Sequence, residues 1–374
     1  MKRFIGYFFV LLILVFFSYF VVRVSGENRE YIFSLGFDYD EIQKETKEEK
    51  LFNNIVTLSS NLSDNGKAVV VNLSEMRLFL INKAFIENEY EIVSKGPDDK
   101  WFKTPAGVYR VGAKYFKHLS SKSPVYMPFS FQFYEDFFIH GIPYYANGER
   151  VDSDFSGGCL RLEDKYAEIV FDFVKYNTPV ILIEKYTKDN INLDKYAMPV
   201  NFDNTFIING YLSPSKKIKG EYLQHTGITF ATLNIEEVYS IMDGEISSVF
   251  YTSVNDKGFG NTIIIKHDEE VYSLYAHLSS FSKPFQVGDK VKKGEVIGFT
   301  GTSGYGCNQY WKLENNGCDK NDILNPNLYF EIKKGNVLHN PYGGQVCEDD
   351  YCYEYSLKYP RYYGYYSPID FLKN

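Results

Sequence analysis

Short runs of apolar and β-branched residues, separated by glycine, proline and polar turns, recur along most of the chain. In the first half, five such runs are predicted to be strands: Val69–Val71, Leu78–Ile81, Gly107–Val111, Phe137–Ile139 and Val180–Ile183. Apolar residues at helical spacing over Tyr166–Tyr176 predict one helix among them. The second half, from Pro199 onward, is again strand-rich with frequent glycines. We therefore expect a mainly β protein.

An unbroken apolar run, Phe4–Val22, lies between Lys2 and Arg3 on one side and Arg23 on the other. A membrane-spanning helix needs about 20 apolar residues, whereas a cleavable signal has a shorter apolar core followed by small residues. We therefore predict an uncleaved transmembrane anchor over residues 1–26, with a cleaved signal as the alternative. Lys2 and Arg3 should stay in the cytoplasm, so the rest of the chain should face the periplasm or the cell-wall space.

The chain divides further by composition. Residues 27–65 are a polar spacer with a helix expected near Tyr39–Leu62, and residues 66–186 and 199–374 are two expected folded units. Two units fit a length of 374 residues, since domains run to roughly 150 residues each. A hydrophobic content of 44% is ample for two cores. The net charge of -8, without a basic run, argues against nucleic acid as a partner.

The chain has five cysteines, and four of them lie near its C-terminal end. An even group of cysteines in an exported chain predicts two disulfides, for which three pairings exist. The local pairing, Cys307–Cys318 and Cys347–Cys352, is the one we expect. Cys159 is left over, either as a reactive thiol or as a buried inert one.

Two features around Cys159 favour a reactive thiol. Gly157 and Gly158 precede it, so a tight turn can expose the sulfur and direct backbone N–H groups at one point. His140 follows a predicted strand, with Gly141 behind it, so a loop can bring its imidazole to the sulfur. A nearby histidine favours the thiolate, which is the nucleophilic form of cysteine.

The segment from about Lys67 to Lys185 resembles the L,D-transpeptidase (YkuD-type) catalytic domain, whose fold is a β-sandwich. The resemblance is carried by the Ser156-Gly157-Gly158-Cys159-Leu160-Arg161 turn, the His140-Gly141 pair and the Thr104-Pro105-Ala106-Gly107 turn. One departure is Gly157, where many members of the family have histidine.

The resemblance implies acyl transfer on peptidoglycan stem peptides. His140 would take the proton of Cys159, and the thiolate would attack the diaminopimelate carbonyl of a tetrapeptide and release D-alanine. The N–H groups of Gly158 and Cys159 would hold the oxyanion. An amine from a second stem would then give a cross-link, whereas water would give a trimmed tripeptide.

Three further residues receive roles from the same resemblance. Either the carbonyl of Gly141 or the hydroxyl of Ser156 would orient His140. Arg161 would brace the turn or meet a substrate carboxylate, and a plain surface salt bridge is its alternative.

The region from about Glu221 to Leu372 resembles a LytM-type (lysostaphin-like) zinc endopeptidase, through motifs such as Tyr275-Ala276-His277-Leu278 and Gly258-Phe259-Gly260-Asn261. Most of the residues that bind zinc and catalyse hydrolysis in that family are replaced in this sequence. His225 and His277 remain, but other residues stand at the remaining ligand and catalytic positions: Thr229, Asn327 and Tyr329. Because a catalytic zinc needs three protein ligands, we expect no metal, no cofactor and no metallopeptidase activity in this antiparallel β domain.

Peptidoglycan stem peptides and glycan strands are therefore the expected partners, together with the inner membrane through the N-terminal helix and a wall hydrolase. The first alternative function is an L,D-carboxypeptidase. The second is a non-enzymatic wall-binding or amidase-regulating protein that acts through the LytM-like unit. Aromatic residues in the insert Gly343–Tyr366 are expected either to stack on sugar rings or to pack on their own domain. His118 and His339 receive no role.

Overall fold

The computed structural model of the chain describes residues 19–23, 30–34, 45–98, 103–152, 156–211, 213–218, 221–251, 259–304, 326–334, 346–348, 351–353, 356–357 and 364–374. The chain forms two compact units, Met1–Thr46 and Lys47–Asn374. In the first unit, β1 (Tyr19–Arg23) and β2 (Glu30–Ser34) pair as antiparallel strands.

The expected membrane helix needs a correction at its C-terminal end. Most of Phe4–Val22 lies outside the described residues, but the last part belongs to strand β1 and not to a helix. Tyr, Phe and Val fit a pleated strand well, so this end of the apolar run favours β structure. No helix within the described ranges is both long and apolar enough to span a bilayer.

The second unit begins with α1 (Lys47–Asn61), which falls inside the spacer where a helix was expected. Nine strands and α2 (Asp164–Phe173) follow. The strands are β3 (Lys67–Asn72), β4 (Arg77–Asn82), β5 (Phe85–Glu91), β6 (Gly107–Arg110), β7 (Lys114–Leu119), β8 (Tyr126–Tyr134), β9 (Phe137–His140), β10 (Leu160–Arg161) and β11 (Pro179–Ile183).

These nine strands form two sheets with a common core between them. The five-stranded sheet has the order β5-β4-β3-β11-β6, and the four-stranded sheet has the order β10-β9-β8-β7. Neighbours are antiparallel except β11 with β3 and β10 with β9, which run parallel. β3 and β11 are buried on both faces, which explains their continuous β-branched sequences.

Alternate residues of β3, in the five-stranded sheet, contribute to two different hydrophobic clusters. Val69 and Val71 face the core shared with the four-stranded sheet and α2, whereas Val70 contributes to a second cluster under α1. Leu51 and Ile55 are the buried side of α1 in that second cluster. The alternation follows from the two-residue period of a strand.

The remaining strands build a mostly antiparallel second half. They are β12 (Thr205–Asn209), β13 (Pro214–Ile218), β14 (Glu221–His225), β15 (Ile228–Thr232), β16 (Glu237–Tyr239), β17 (Gly244–Phe250), β18 (Asn261–Lys266), β19 (Val271–Leu278), β20 (Ser280–Phe281), β21 (Lys290–Val291), β22 (Val296–Phe299), β23 (Asn327–Lys334), β24 (Val346–Glu348), β25 (Tyr351–Tyr353), β26 (Ser356–Leu357) and β27 (Tyr365–Tyr366). An eight-stranded sheet, β12-β15-β23-β19-β18-β17-β21 with β27 beside β23, is its centre. The last helix is α3 (Pro368–Lys373).

The two halves are joined by backbone hydrogen bonds. Glu184, which follows β11, and Ile207 of β12 each donate an N–H to the other's carbonyl, at 3.1 and 2.8 Å. The end of β11 is therefore joined to β12 by an antiparallel bridge. The N–H of Gly210 donates to the carbonyl of Ala106 at 2.9 Å. The Thr-Pro-x-Gly turn of the first half is therefore tied directly to the second half.

Only one of the two predicted disulfides lies within the described residues. Cys307 and Cys318 lie outside the described residues. Cys347 and Cys352 stand opposite each other in the register of β24 and β25. Both disulfides stay predictions.

Candidate active site

The parallel pairing of β9 and β10 brings the predicted nucleophile and base together. Arg161 lies opposite His140, and Leu160 lies opposite Ile139. Cys159 immediately precedes β10 and is therefore level with Phe138. The N–H of Phe138 donates to the sulfur of Cys159 at 3.4 Å.

The turn before Cys159 is held by two hydroxyl groups. Ser156 donates to the carbonyl of Cys159 at 2.5 Å, so its hydroxyl is bound inside the turn and does not orient His140. Thr104 donates to the carbonyl of Gly158 at 2.7 Å and accepts from the N–H of Gly96 at 2.9 Å. Gly158 has a φ of 108°, which a side chain would strain. The bond from Thr104 fixes the Gly158–Cys159 peptide plane, whose N–H is one of the two oxyanion candidates.

His140 is oriented by the peptide that follows it. The ring is buried, and its Nδ1 lies 2.5 Å from the carbonyl oxygen of Gly141, so Nδ1 carries the proton in this tautomer. Gly141 has no room for a side chain, because a Cβ would lie 2.5 Å from a carboxylate oxygen of Asp164. Of the two orienting groups considered for His140, the structure places the Gly141 carbonyl against the ring.

Burial shifts the pKa values of Cys159 and His140 in the directions that disfavour a thiolate–imidazolium ion pair. Burial raises the pKa of the Cys159 thiol to about 11, although the Phe138 N–H and the Arg161 charge oppose it. Burial also lowers the pKa of His140 to about 4; the Gly141 carbonyl opposes this, while the charges of Arg161 and His118 add to it. At neutral pH the resting pair is therefore a thiol and a neutral imidazole, with about one thiolate in ten thousand.

The thiol itself is bonded to the backbone of the β8–β9 turn. Besides accepting from Phe138, it donates to the carbonyl of Asp136 at 3.6 Å. Within the part of the chain that the structure describes, no hydrogen bond joins this sulfur to the His140 ring. Proton transfer to the imidazole therefore requires a rotation of the thiol, and catalytic hydrogen bonds commonly tighten only when substrate is bound.

His118, which received no role from the sequence, lies next to this site. Its ring stacks on Phe138 with a centroid distance of 4.7 Å and on Tyr115 with a distance of 4.6 Å. Phe138 in turn donates its N–H to the sulfur of Cys159. No motif marks His118, because its position follows from the pairing of β7 with β8 and β8 with β9.

Gly157 lies on the open side of the turn. A Cβ at this position would have no heavy atom within 4 Å, and the residue is exposed. A side chain is therefore sterically allowed here with respect to the described residues.

In the second half, a tyrosine occupies the centre of the expected zinc site. The ring of Tyr329 lies 5.1 Å from that of His225 and 6.1 Å from that of His277. Its hydroxyl lies 2.7 Å from the hydroxyl of Thr226 and donates to Glu331 at 2.6 Å. Thr226 also donates to Glu331, at 2.8 Å.

The two remaining histidines are bonded to backbone carbonyls. Nδ1 of His225 lies 2.9 Å from the carbonyl of Gly227, and Nδ1 of His277 lies 3.0 Å from that of Ser303. Thr229 stands opposite Tyr329 in the pairing of β15 with β23.

The other predicted position, Asn327, is buried at the start of β23. Across the described ranges, His, Cys, Asp and Glu side chains form no group of three or more that could hold a metal ion. The residues present do not fit a catalytic zinc.

Residues 66–182 match the family described as the L,D-transpeptidase catalytic domain, and residues 223–341 match peptidase family M23. An L,D-transpeptidase catalytic domain therefore precedes an M23 domain in this chain. Both domain families support peptidoglycan as the substrate.

Individual relatives cover smaller parts. DD-carboxypeptidase/endopeptidase Mpg of Neisseria meningitidis is 41% identical over 80 residues, which are 21% of this chain and 17% of that protein. L-Ala--D-Glu endopeptidase of Bacillus subtilis is 24% identical over 153 residues, 38% of this chain and 44% of that protein. The chain thus spans less than half the length of these relatives. The solved catalytic domain of lysostaphin from Staphylococcus simulans has 23% identity and a TM-score of 0.28, covering 44% of this chain and 90% of that one.

The raised thiol pKa predicts an unusual pH profile for alkylation of Cys159. Because the thiolate is the reacting form, the iodoacetamide rate should rise about tenfold per pH unit and keep rising toward pH 11. Mass spectrometry of the Cys159 peptide measures this rate separately from the other cysteines. A plateau below pH 8 would instead reveal a thiolate–imidazolium pair in the resting transpeptidase domain.

The hydrogen bonds of Thr104 predict a selective effect of Thr104→Val. Without the hydroxyl, the Gly158 peptide is no longer held, so acylation of Cys159 by a nitrophenyl ester should slow at least about tenfold. Alkylation forms no oxyanion, so the iodoacetamide rate should stay within about twofold of wild type. Thr104→Ser, which keeps the hydroxyl, is the matched control. Equal losses in both reactions would show that Thr104 only supports folding.

Proposed function

We propose that this protein is a peptidoglycan L,D-transpeptidase that forms a thioester between Cys159 and a stem tetrapeptide. The observation that carries the proposal is the parallel register of β9 and β10, which aligns His140 with Arg161 beside the nucleophile. The matching family supplies the substrate class.

In the acylation step, the sulfur of Cys159 bonds to the carbonyl carbon of the diaminopimelate L-centre. His140 accepts the thiol proton as the bond forms, and the N–H groups of Gly158 and Cys159 stabilise the oxyanion. The tetrahedral intermediate then expels D-alanine, whose nitrogen takes the proton from the imidazolium. An imidazolium with a pKa near 4 is a strong acid, which suits it to this second transfer.

In the second step, an amine of another stem peptide or of a protein attacks the thioester and regenerates the thiol. This yields a cross-link or a protein attached to the wall. If water attacks instead, the product is a tripeptide and the enzyme is an L,D-carboxypeptidase. Since peptidoglycan lies outside the cytoplasmic membrane, we place both domains in the periplasm or the cell-wall space, held there by the N-terminal apolar segment.

The decisive experiment incubates the protein with a tetrapeptide muropeptide and measures intact mass. The wild type should gain one tripeptidyl acyl group, Cys159→Ala should gain none, and His140→Gln should acylate about 10²–10⁴-fold more slowly. Dimeric muropeptides among the products identify a transpeptidase, and tripeptide monomers alone identify a carboxypeptidase. A folded wild type that stays unmodified would refute the thioester mechanism.

We further propose that the M23 domain is not a metallopeptidase. Tyr329 supports this, because it is buried at the position of a zinc ligand and its hydroxyl donates to Glu331. Neutral tyrosine and threonine hydroxyls are poor zinc ligands. The retained framework favours a role in binding wall strands or a wall hydrolase over a role in cleavage.

Elemental analysis tests this second proposal. Wild-type protein dialysed against zinc should retain well under one equivalent, whereas Thr229→Asp/Tyr329→His, which restores two ligand positions beside His225, should retain about one. Stoichiometric zinc in the wild type would overturn the proposal. The single variant Thr229→Asp is the matched control, because it leaves Tyr329 in place.

A further inference from the structure

A pocket of about 310 Å³ opens on the transpeptidase domain beside the catalytic turn. Its apolar lining comes from Met76, Val93 and Pro97, and its polar lining comes from Ser94, Lys95 and Ser156. None of the three motifs that carry the family resemblance includes the polar residues Ser94 and Lys95.

The wall of this pocket is bonded to the nucleophile's turn at two points. Gly96, which also lines the pocket, donates its N–H to the Thr104 hydroxyl, and that hydroxyl donates to the carbonyl of Gly158. Ser156 donates to the carbonyl of Cys159. A group bound in the pocket would therefore lie against the same turn that presents the sulfur.

The segment after β5 that carries Ser94 also contacts β10. Ser94 and Arg161 form an antiparallel bridge, in which the N–H of Arg161 donates to the Ser94 carbonyl at 2.9 Å. The pocket residue Ser94 is thus held against β10, the strand that begins directly after Cys159.

Two side chains in the pocket offer hydrogen-bond donors. Ser94 is 4% exposed, and its buried hydroxyl makes no hydrogen bond to any of the residues that the structure describes. The Lys95 side chain is 18% exposed and its ammonium pairs with Asp98, whose side chain is 62% exposed. Because Asp98 is the exposed partner, its carboxylate can turn to solvent and leave the ammonium of Lys95 to a carboxylate that enters the pocket.

We propose that this pocket binds a carboxylate of the donor stem peptide, an inference that rests on the proposed transpeptidase function. Lys95 donates a charge-assisted hydrogen bond to the carboxylate, and the Ser94 hydroxyl donates a second one. The aliphatic part of the same peptide residue contacts Met76 and Pro97. The pocket thereby selects stems with a free carboxylate and places the scissile carbonyl at Cys159.

The test compares tetrapeptides whose free carboxylates are converted to amides one at a time. With wild-type protein, one of these amides should lower kcat/KM for acylation of Cys159 at least about tenfold, because a charge-assisted hydrogen bond is lost. With Lys95→Met, that amide and the free acid should react at rates within about twofold of each other. Ser94→Ala should reduce the discrimination without abolishing it.

Both substrates are measured on the same protein sample, so the ratio does not depend on the fraction that is folded. Lys292→Met is the matched control, since Lys292 also pairs with an exposed carboxylate, Asp243, but lies in the M23 domain; it should discriminate as the wild type does. Acylation without discrimination by the wild type, or full discrimination by Lys95→Met, would overturn the pocket assignment alone. Failure of every peptide to acylate Cys159 would overturn the proposed function and the pocket with it.

Discussion

The hydroxyl of Thr104 is the contact on which the catalytic geometry depends. It accepts from Gly96 and donates to Gly158, so one buried side chain joins the pocket wall to the peptide that precedes the nucleophile. Two residues further on, Ala106 accepts from the N–H of Gly210 in the second half. The Thr104–Gly107 turn is thus held from both halves of the chain.

Burial sets the chemistry of the nucleophile and its base. Desolvation disfavours both the thiolate of Cys159 and the imidazolium of His140, so each group rests in its neutral form. Arg161 lowers the pKa of both groups, which favours the thiolate and disfavours the imidazolium. In these neutral forms the thiol is a weak nucleophile, since the thiolate is the reactive form of cysteine.

Hydrogen bonds join the buried polar side chains at the expected zinc site of the M23 domain. Tyr329, Thr226 and Glu331 satisfy one another in a buried cluster, and His225 is bonded to the carbonyl of Gly227. Buried polar groups are costly unless they are paired, and here they are paired with one another. The cluster contributes contacts across the sheet that contains β15 and β23.

The sequence by itself determined the mainly β fold, because apolar periodicity is a local property of the chain, and its motifs identified the two domain families by resemblance. That Cys159 and His140 act together stays a prediction from the same motifs. It misassigned Tyr19–Val22, since apolar length alone does not separate a membrane helix from a strand. Only the tertiary structure decided the neutral resting state of the thiol, the position of His118 and the pocket at Lys95. These depend on burial and on contacts between strands far apart in sequence, which no local pattern encodes.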